Sequence, residues 1–174
     1  EYAGELPADY EKLLKLPGIG SYTAGAVASI ACQIPVPAVD GNVLRVIARV
    51  CCMEEDVLKQ SVKRQVEEKI QGVIPGDRPG AYNQALMELG AMVCVPNGPA
   101  KCTECPLQEL CVARREGKIS ELPKKASKKP RKIEERTVLV IRDGERAAIR
   151  KRPSKGLLAG LYELPNLSGR LDAD

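Results

Sequence analysis

Four cysteines are spaced closely enough in the sequence for their thiolates to surround one metal centre. They form a C-x7-C-x2-C-x5-C run interleaved with prolines and a glycine, which predicts a loop without a core of its own. Such a set of sulfurs suits either zinc or an iron–sulfur cluster, and the spacing alone does not choose between them. Two disulfides or free thiols are the alternative, and we expect neither, because the first residues do not resemble a secretory signal. The candidate ligands are Cys94, Cys102, Cys105 and Cys111.

Composition limits the chemistry that is open to the chain. Its 174 residues contain no His, Phe or Trp. Catalysis by a Ser-His-Asp or Cys-His pair, and zinc held by histidine, are therefore excluded within these residues. Seven cysteines are an odd number, which disfavours a complete disulfide framework and favours a reducing cytoplasm. The three cysteines outside the run, Cys32, Cys51 and Cys52, fall on apolar segments, where we expect small buried side chains.

A glycine-containing turn, LPGIG at residues 16–20, joins the first two predicted helices. Its two glycines permit positive φ and close approach by another molecule. The second helix follows at once, with Ser21 as its expected N-cap. Free backbone N–H groups and the positive end of the helix dipole would then face an anion such as a DNA phosphate. An ordinary helix–helix turn is the alternative.

Asp40 directly precedes the third predicted helix, in the sequence VDGNV. This position is typical of an N-cap, which is the simpler interpretation. The functional interpretation is a carboxylate at a helix N-terminus that stabilises a developing sugar cation, as one of two carboxylates does in glycoside cleavage. No partner acid is evident from the sequence around it.

The first part of the chain is predicted to be helical. Apolar residues recur with helical spacing, most clearly at every fourth position from Leu58 to Ile70. In the third helix, Arg45 and Arg49 are expected on a different face from the apolar residues. Five short helices with short breaks between them favour an all-α unit. They are expected to begin near Asp9, Ser21, Gly41, Leu58 and Pro79.

The charge distribution and the periodicity both change after the cysteine run. Residues 1–113 hold 10 Lys and Arg against 14 Asp and Glu, whereas residues 114–136 hold 10 against 4. This basic segment contains prolines and no clear period, so we expect a linker, which could also lie along DNA phosphates. Residues 137–141 then resemble a strand, and Asp143-Gly144 predicts a hairpin whose second strand lies within residues 146–152.

The order of these motifs resembles that of the helix-hairpin-helix DNA glycosylases that carry an iron–sulfur cluster. The sequence shows LPGIG, VDGNV, AYNQALMELGAMVC and the four-cysteine run in that order. Within that superfamily the chain is most similar to the MutY family of adenine DNA glycosylases, over nearly its whole length. The resemblance implies a mainly α fold: a helix-hairpin-helix glycosylase domain over residues 1–93, an iron–sulfur loop over 94–113, a basic linker over 114–136 and the start of an α+β Nudix-like domain over 137–174.

The family acts on adenine mispaired with 8-oxoguanine or guanine, which it flips out of double-stranded DNA. The resemblance implies that Asp40 is the catalytic carboxylate that stabilises the oxocarbenium-like sugar, with Tyr22 and Asn42 as active-site support. It also implies a [4Fe–4S] cluster on the four cysteines, with zinc as the alternative. The residues it implies for DNA binding are Leu16, Gly18, Ile19, Gly20, Ser21 and Thr23.

Two positions separate this sequence from endonuclease III-like relatives. Those enzymes carry a catalytic Lys where this chain has Tyr22, and they tend to have Thr-His where it has Gly41-Asn42. Without that Lys, no Schiff base with the sugar can form at this position. The resemblance therefore implies a monofunctional glycosylase. The alternatives are an endonuclease III-like glycosylase/lyase for oxidised pyrimidines and a non-catalytic, metal-dependent DNA-binding module.

The chain also departs from the family pattern. Its first cysteine gap is seven residues, where six is usual. We expect the catalytic Glu of the family upstream of Glu1 and the Nudix-like domain to be truncated, so that these residues alone would not excise adenine.

The resemblance also implies partners and a compartment. Residues 156–165, GLLAGLYELP, resemble the start of the Nudix-like domain that helps to recognise 8-oxoguanine. A sliding clamp or a mismatch-repair protein is a candidate partner for the linker. We expect a monomer without a membrane partner, in the bacterial cytoplasm and acting at the nucleoid.

Overall fold

The protein is described by a computed structural model that covers residue 2, residues 4–127 and residues 130–171. The chain divides into two compact units, Glu1–Ser127 and Lys128–Asp174. This division falls within the segment that the sequence predicts as a basic linker. Two lysines of that segment, Lys128 and Lys129, lie outside the described residues, as do the final three residues of the expected Nudix-like portion.

The described part of the first unit is helical, as the sequence predicts. Helix α2 continues as a π-helical turn over Val27–Ala31, and α5 continues in the same way over Leu89–Val93. A short 3₁₀ turn, Cys102–Glu104, lies within the cysteine run. The α-helices are α1 (Tyr10–Leu14), α2 (Ser21–Ala26), α3 (Gly41–Val50), α4 (Gln60–Gln71), α5 (Pro79–Glu88) and α6 (Val112–Arg115).

Helix α3 passes through the middle of the main hydrophobic core. Residues 43–49 of this helix are all buried, and the apolar stripe of α4 packs against them. Leu58, which the sequence includes in that stripe, is instead exposed, because α4 begins only at Gln60. The buried stripe consists of Val62, Val66 and Ile70.

A second, smaller core holds the glycine-containing turn in place. It joins α1 to α2 through Leu13, Ala24 and Ala28, which are all fully buried. The N-cap of α2 is Gly20, and Ser21 is the first helical residue, so the expectation that Ser21 caps the helix is wrong. Gly20 has an extended backbone (φ −97°, ψ 178°) that any residue can adopt, so of the two turn glycines only Gly18 uses a positive φ.

The three cysteines outside the run are not the buried side chains that the sequence predicts. Cys51 is exposed, and Cys32 and Cys52 are half-buried. Cys51 and Cys52 lie in the turn after α3, which ends at Val50, and Cys32 lies just after the π-helical turn that ends at Ala31.

The second unit consists of short antiparallel strand pairs. The predicted turn is present: β2 (Arg142–Asp143) pairs with β3 (Arg146–Ala147) around Gly144. The strand predicted over residues 137–141 forms only in part, because residues 139–141 are not in a strand and residues 137 and 138 pair with β6 instead of the hairpin. The remaining strands are β1 (Arg136–Val138), β4 (Arg150–Lys151), β5 (Tyr162–Glu163) and β6 (Asn166–Ser168), in the pairs β1–β6 and β4–β5.

The pairing of β1 could not be predicted from local sequence. Thr137 lies opposite Leu167, some thirty residues away in the chain. No turn motif in the sequence indicates that β1 pairs with β6. In the described ranges, no helix has the length and apolar composition that crossing a lipid bilayer requires.

Candidate functional site

Asp40 is the N-cap of α3, and its carboxylate is held by three hydrogen bonds. One oxygen accepts the backbone N–H groups of Asn42 and Val43, each at 2.8 Å. The other oxygen accepts the Asn42 side-chain amide at 2.9 Å. The side chain is half-buried, and the partial positive charge of the helix end favours its negative charge. The N-cap and the functional interpretations are therefore compatible, because one geometry serves both.

Asp40 lines an open cavity of about 530 Å³ between α2, α3 and α4. Gly20, Ser21 and Tyr22 line the same cavity, so the end of the turn and the carboxylate face one space. Tyr22 is 43% exposed. Asn42 does not line the cavity and lies behind the carboxylate that it contacts.

Residues to which the sequence assigned no functional role complete this cavity. Lys63 and Glu67, one turn apart on α4, lie along its wall, with Gln60 as the first residue of that helix and Leu58 just before it. These residues are far from Asp40 in the sequence and belong to no motif. Only the packing of α4 against α3 could have identified them.

The turn before α2 has an open surface. Gly18 has a φ of +82°, and a Cβ added at Gly18 or Gly20 would meet nothing within 4 Å. No described side chain caps the first turn of α2, so its backbone N–H groups are available. Leu16 and Ile19 are half-buried in the small core, whereas Thr23 is exposed. The six candidate DNA-binding residues thus form one turn, of which only Gly20 and Ser21 reach the Asp40 cavity.

A buried arginine joins the site of Asp40 to the cysteine run. Arg45 donates to the Asn42 side-chain oxygen at 2.9 Å, to the Gly90 carbonyl at 2.7 Å and to the Cys94 carbonyl at 2.7 Å. It is only 6% exposed, and burial lowers the pKa of its guanidinium, which nevertheless stays charged at neutral pH. A hydrogen-bonded path therefore runs from Asp40 through Asn42 and Arg45 to Cys94.

The four cysteines of the run line a single cavity. Its walls are otherwise mainly apolar and come from α3, from the end of α5 and from the residues after α6. Burial, and then the neighbouring thiols of Cys111, Cys94 and Cys105, raise the pKa of Cys102. Among the described residues, no three His, Cys, Asp or Glu side chains are arranged to hold a single metal ion. The cysteines are Cys94, Cys102, Cys105 and Cys111.

Arg49, one turn after Arg45, donates to the cysteine loop from α3. Its guanidinium lies 3.2 Å from the Cys94 sulfur, 3.1 Å from the Val95 carbonyl and 2.8 Å from the Leu122 carbonyl. A positive charge at this point would offset the charge of ionised thiolates. The two buried arginines of α3 therefore face the loop, a role that a helical projection of the sequence does not reveal.

Comparisons with known proteins agree with this architecture. Residues 1–30 match the family described as the helix-hairpin-helix motif. An adenine DNA glycosylase from Rattus norvegicus is 34% identical over 212 residues, which cover 97% of this chain and 41% of the relative. The corresponding enzyme from Arabidopsis thaliana is 37% identical, over 97% of this chain and 29% of the relative, and one from Buchnera aphidicola is 30% identical, over 98% and 49%.

Solved structures give the same picture for the helical part. A thermostable thymine-DNA glycosylase matches with a TM-score of 0.55 and 30% identity, and a non-covalent endonuclease III–DNA complex matches with 0.54 and 33%. Each match covers 67% of this chain and 52% of the solved chain. The chain spans less than half the length of the curated relatives named above. By sequence this chain belongs to the adenine DNA glycosylase family, and its fold is that of helix-hairpin-helix proteins such as endonuclease III.

Proposed function

We propose that the protein carrying this chain hydrolyses the N-glycosidic bond of adenine mispaired with 8-oxoguanine or guanine in double-stranded DNA. The observation that carries the proposal is the Asp40 carboxylate, fixed by three hydrogen bonds at the edge of a cavity that the helix-hairpin-helix turn also lines. An adenine nucleotide flipped out of the duplex would enter this cavity.

Asp40 supplies the electrostatic part of the mechanism. As the bond to adenine lengthens, positive charge develops on the deoxyribose, and a fixed carboxylate lowers the energy of that state. Asn42 holds the carboxylate, and Tyr22 borders the space for the nucleoside. Protonation of the departing adenine requires an acid, for which the family uses a glutamate on an early helix.

The turn at residues 16–20 serves as the phosphate anchor. Its exposed glycines and the uncapped backbone N–H groups of α2 suit a phosphate oxygen. The basic segment 114–136 adds non-specific affinity by releasing counterions. The second unit, Nudix-like by resemblance, would contact the 8-oxoguanine strand.

The four-cysteine cavity suits an iron–sulfur cluster. Four thiols on mainly apolar walls fit the donor set of a [4Fe–4S] centre, which Cys94, Cys102, Cys105 and Cys111 would hold. A single zinc ion held by the same four thiols is the alternative, and iron and zinc analysis of the purified protein would distinguish the two. The cluster would stabilise the loop, and the proposed hydrolysis does not pass through it.

A Schiff-base lyase is the competing function within the same fold, since endonuclease III structures are among the neighbours. Tyr22 disfavours it, because a phenol cannot form an imine with the sugar.

Because DNA is the substrate, we place the protein's action on the chromosome in a reducing cytoplasm.

The test is single-turnover excision by the complete gene product on a duplex with one adenine:8-oxoguanine pair. We expect first-order release of adenine, none from an adenine:thymine duplex, and no covalent adduct with borohydride. Binding without release would identify a non-catalytic module, and a trapped adduct would identify a lyase. Either result would overturn the proposal.

A further inference from the structure

The segment between the hairpin unit and Asp40 has no regular structure, yet its placement sets where the carboxylate lies. Residues 33–39 follow the π-helical turn of α2 and lead directly into Asp40. Pro35 and Pro37 in this segment have no backbone N–H group. Backbone hydrogen bonds of Ile34 to Ala28 and of Val36 to Ile34 hold the first part of the segment, and side chains from other elements contact Pro35, Val36 and Ala38.

One buried amide, Asn83 on α5, provides most of these contacts. Its oxygen accepts the Ala38 backbone N–H at 3.2 Å, and its NH₂ group donates to the Val36 carbonyl at 2.9 Å. The same NH₂ group donates to the Ser29 hydroxyl, in the π-helical turn of α2, at 2.8 Å. Asn83 is only 1% exposed, so water cannot replace these bonds. A single side chain thus links the helix after the phosphate anchor to the segment that ends at Asp40.

Close backbone packing on both sides shows that this arrangement has little freedom. A Cβ at Gly80, one turn before Asn83, would lie 2.8 Å from the Ser29 carbonyl oxygen. A Cβ at Gly25 would lie 2.1 Å from the Pro37 carbonyl oxygen. Backbones in such close contact cannot shift independently, so a bond that fixes their register also fixes the carboxylate relative to the turn.

We propose that Asn83 is a positioning residue that sets the distance between the phosphate anchor and the Asp40 carboxylate. The inference rests on the proposed function, because it concerns the rate of the step that Asp40 assists. Asn83 itself lies outside the lining of the Asp40 cavity. A misplacement of about 1 Å can cost on the order of 10²-fold in rate, so loss of this amide should slow chemistry more than it weakens DNA binding.

Asn83→Ala and Asn83→Asp test the proposal, with Gln71→Ala as the matched control. Gln71 also holds the segment, by donating to the Pro35 carbonyl at 2.9 Å, but it is exposed, so water can take its place. The near-isosteric Asn83→Asp fills the same volume and keeps the acceptor for Ala38, but it loses the donor to Val36 and Ser29.

Two readouts separate positioning from loss of folding. In single-turnover excision, misfolding lowers the amplitude, whereas misplacement lowers the rate constant at full amplitude. We expect the rate constant to fall about 10- to 100-fold in both Asn83 variants, with DNA affinity within about threefold and Gln71→Ala near wild type. Hydrogen exchange should show that the Ala38 amide loses protection while the amides of α3 keep theirs.

A full-amplitude rate within about threefold of wild type in Asn83→Asp would overturn the inference. Undiminished protection of Ala38 in the variants would overturn it as well. If the wild type excises no adenine, the proposed function fails separately, and the exchange of Ala38 still decides whether Asn83 holds the segment.

Discussion

Replacing Asn42 by alanine tests how far the Asp40 carboxylate depends on its neighbour. The substitution removes the amide that donates to Asp40 at 2.9 Å and the oxygen that accepts from Arg45 at 2.9 Å. It keeps the Cβ, the atom that a side chain at Gly90 would meet at 2.6 Å, so the packing there should survive.

The expected loss of rate in Asn42→Ala follows from the hydrogen bonds to Asp40 that the substitution leaves in place. A hydrogen bond to a charged group contributes roughly 1.5–3 kcal/mol, and about 1.4 kcal/mol corresponds to a tenfold change in rate. Two backbone N–H groups still hold the other oxygen of Asp40 at 2.8 Å each. We therefore expect the lower end of the range, a loss of about tenfold in the single-turnover rate of adenine release.

Asn42→Asp is the companion variant that identifies the responsible bond. It keeps an acceptor for Arg45, but it replaces the donor to Asp40 with a second negative charge. If the contact with Asp40 matters, Asn42→Asp should be slower than Asn42→Ala; if the contact with Arg45 matters, it should be faster. Equal and wild-type rates for both variants would refute the reasoning.

Two further predictions concern the cysteine loop and its anchoring. Cys105→Ser should lose most of the iron and visible absorbance of the purified protein, whereas Cys32→Ser, outside the cavity, should retain both; equal iron content in the two would contradict the assignment. Hydrogen bonds from Lys118 and Lys124 lower the pKa of Glu54 from 4.5 to about 2, so this contact stabilises the fold above pH 4.5 and is lost as the pH falls towards 2. Between pH 5 and pH 2.5, the melting temperature of Glu54→Gln should therefore fall less than that of the wild type. The difference should be clearest at low salt, because the charged groups are exposed. An identical fall in both proteins would count against the ion pair.

The helical unit could be predicted, and the candidate residues could be proposed, from the sequence because both depend on neighbouring residues. The stripe of α4, Pro79 at the start of α5 and the position of Asp40 before α3 each depend on a few neighbouring residues. The convergence of the four cysteines follows in the same way from short spacings and from a loop without a core.

The contacts that connect those motifs could not be predicted from the sequence, because they join residues that are distant in the chain. Arg45 and Cys94 are 49 positions apart, and Asn83 and Ala38 are 45 apart. From residue type alone, an arginine or asparagine on a helix is predicted to be exposed, because its buried hydrogen-bond partners are not visible in the sequence. For the same reason, the sequence indicated neither Lys63 and Glu67 beside Asp40 nor the pairing of β1 with β6.

The central claim is that the charge of Asp40 stabilises the departing state of the nucleoside. It is tested most directly by Asp40→Asn in the complete gene product, measured by single-turnover excision and DNA affinity on the same adenine:8-oxoguanine duplex. Asparagine preserves size and removes the charge, and Asp77→Asn, at an exposed aspartate, is the control. The account predicts a rate loss of at least about 10²-fold with DNA affinity nearly unchanged. A rate within about threefold of wild type would contradict it.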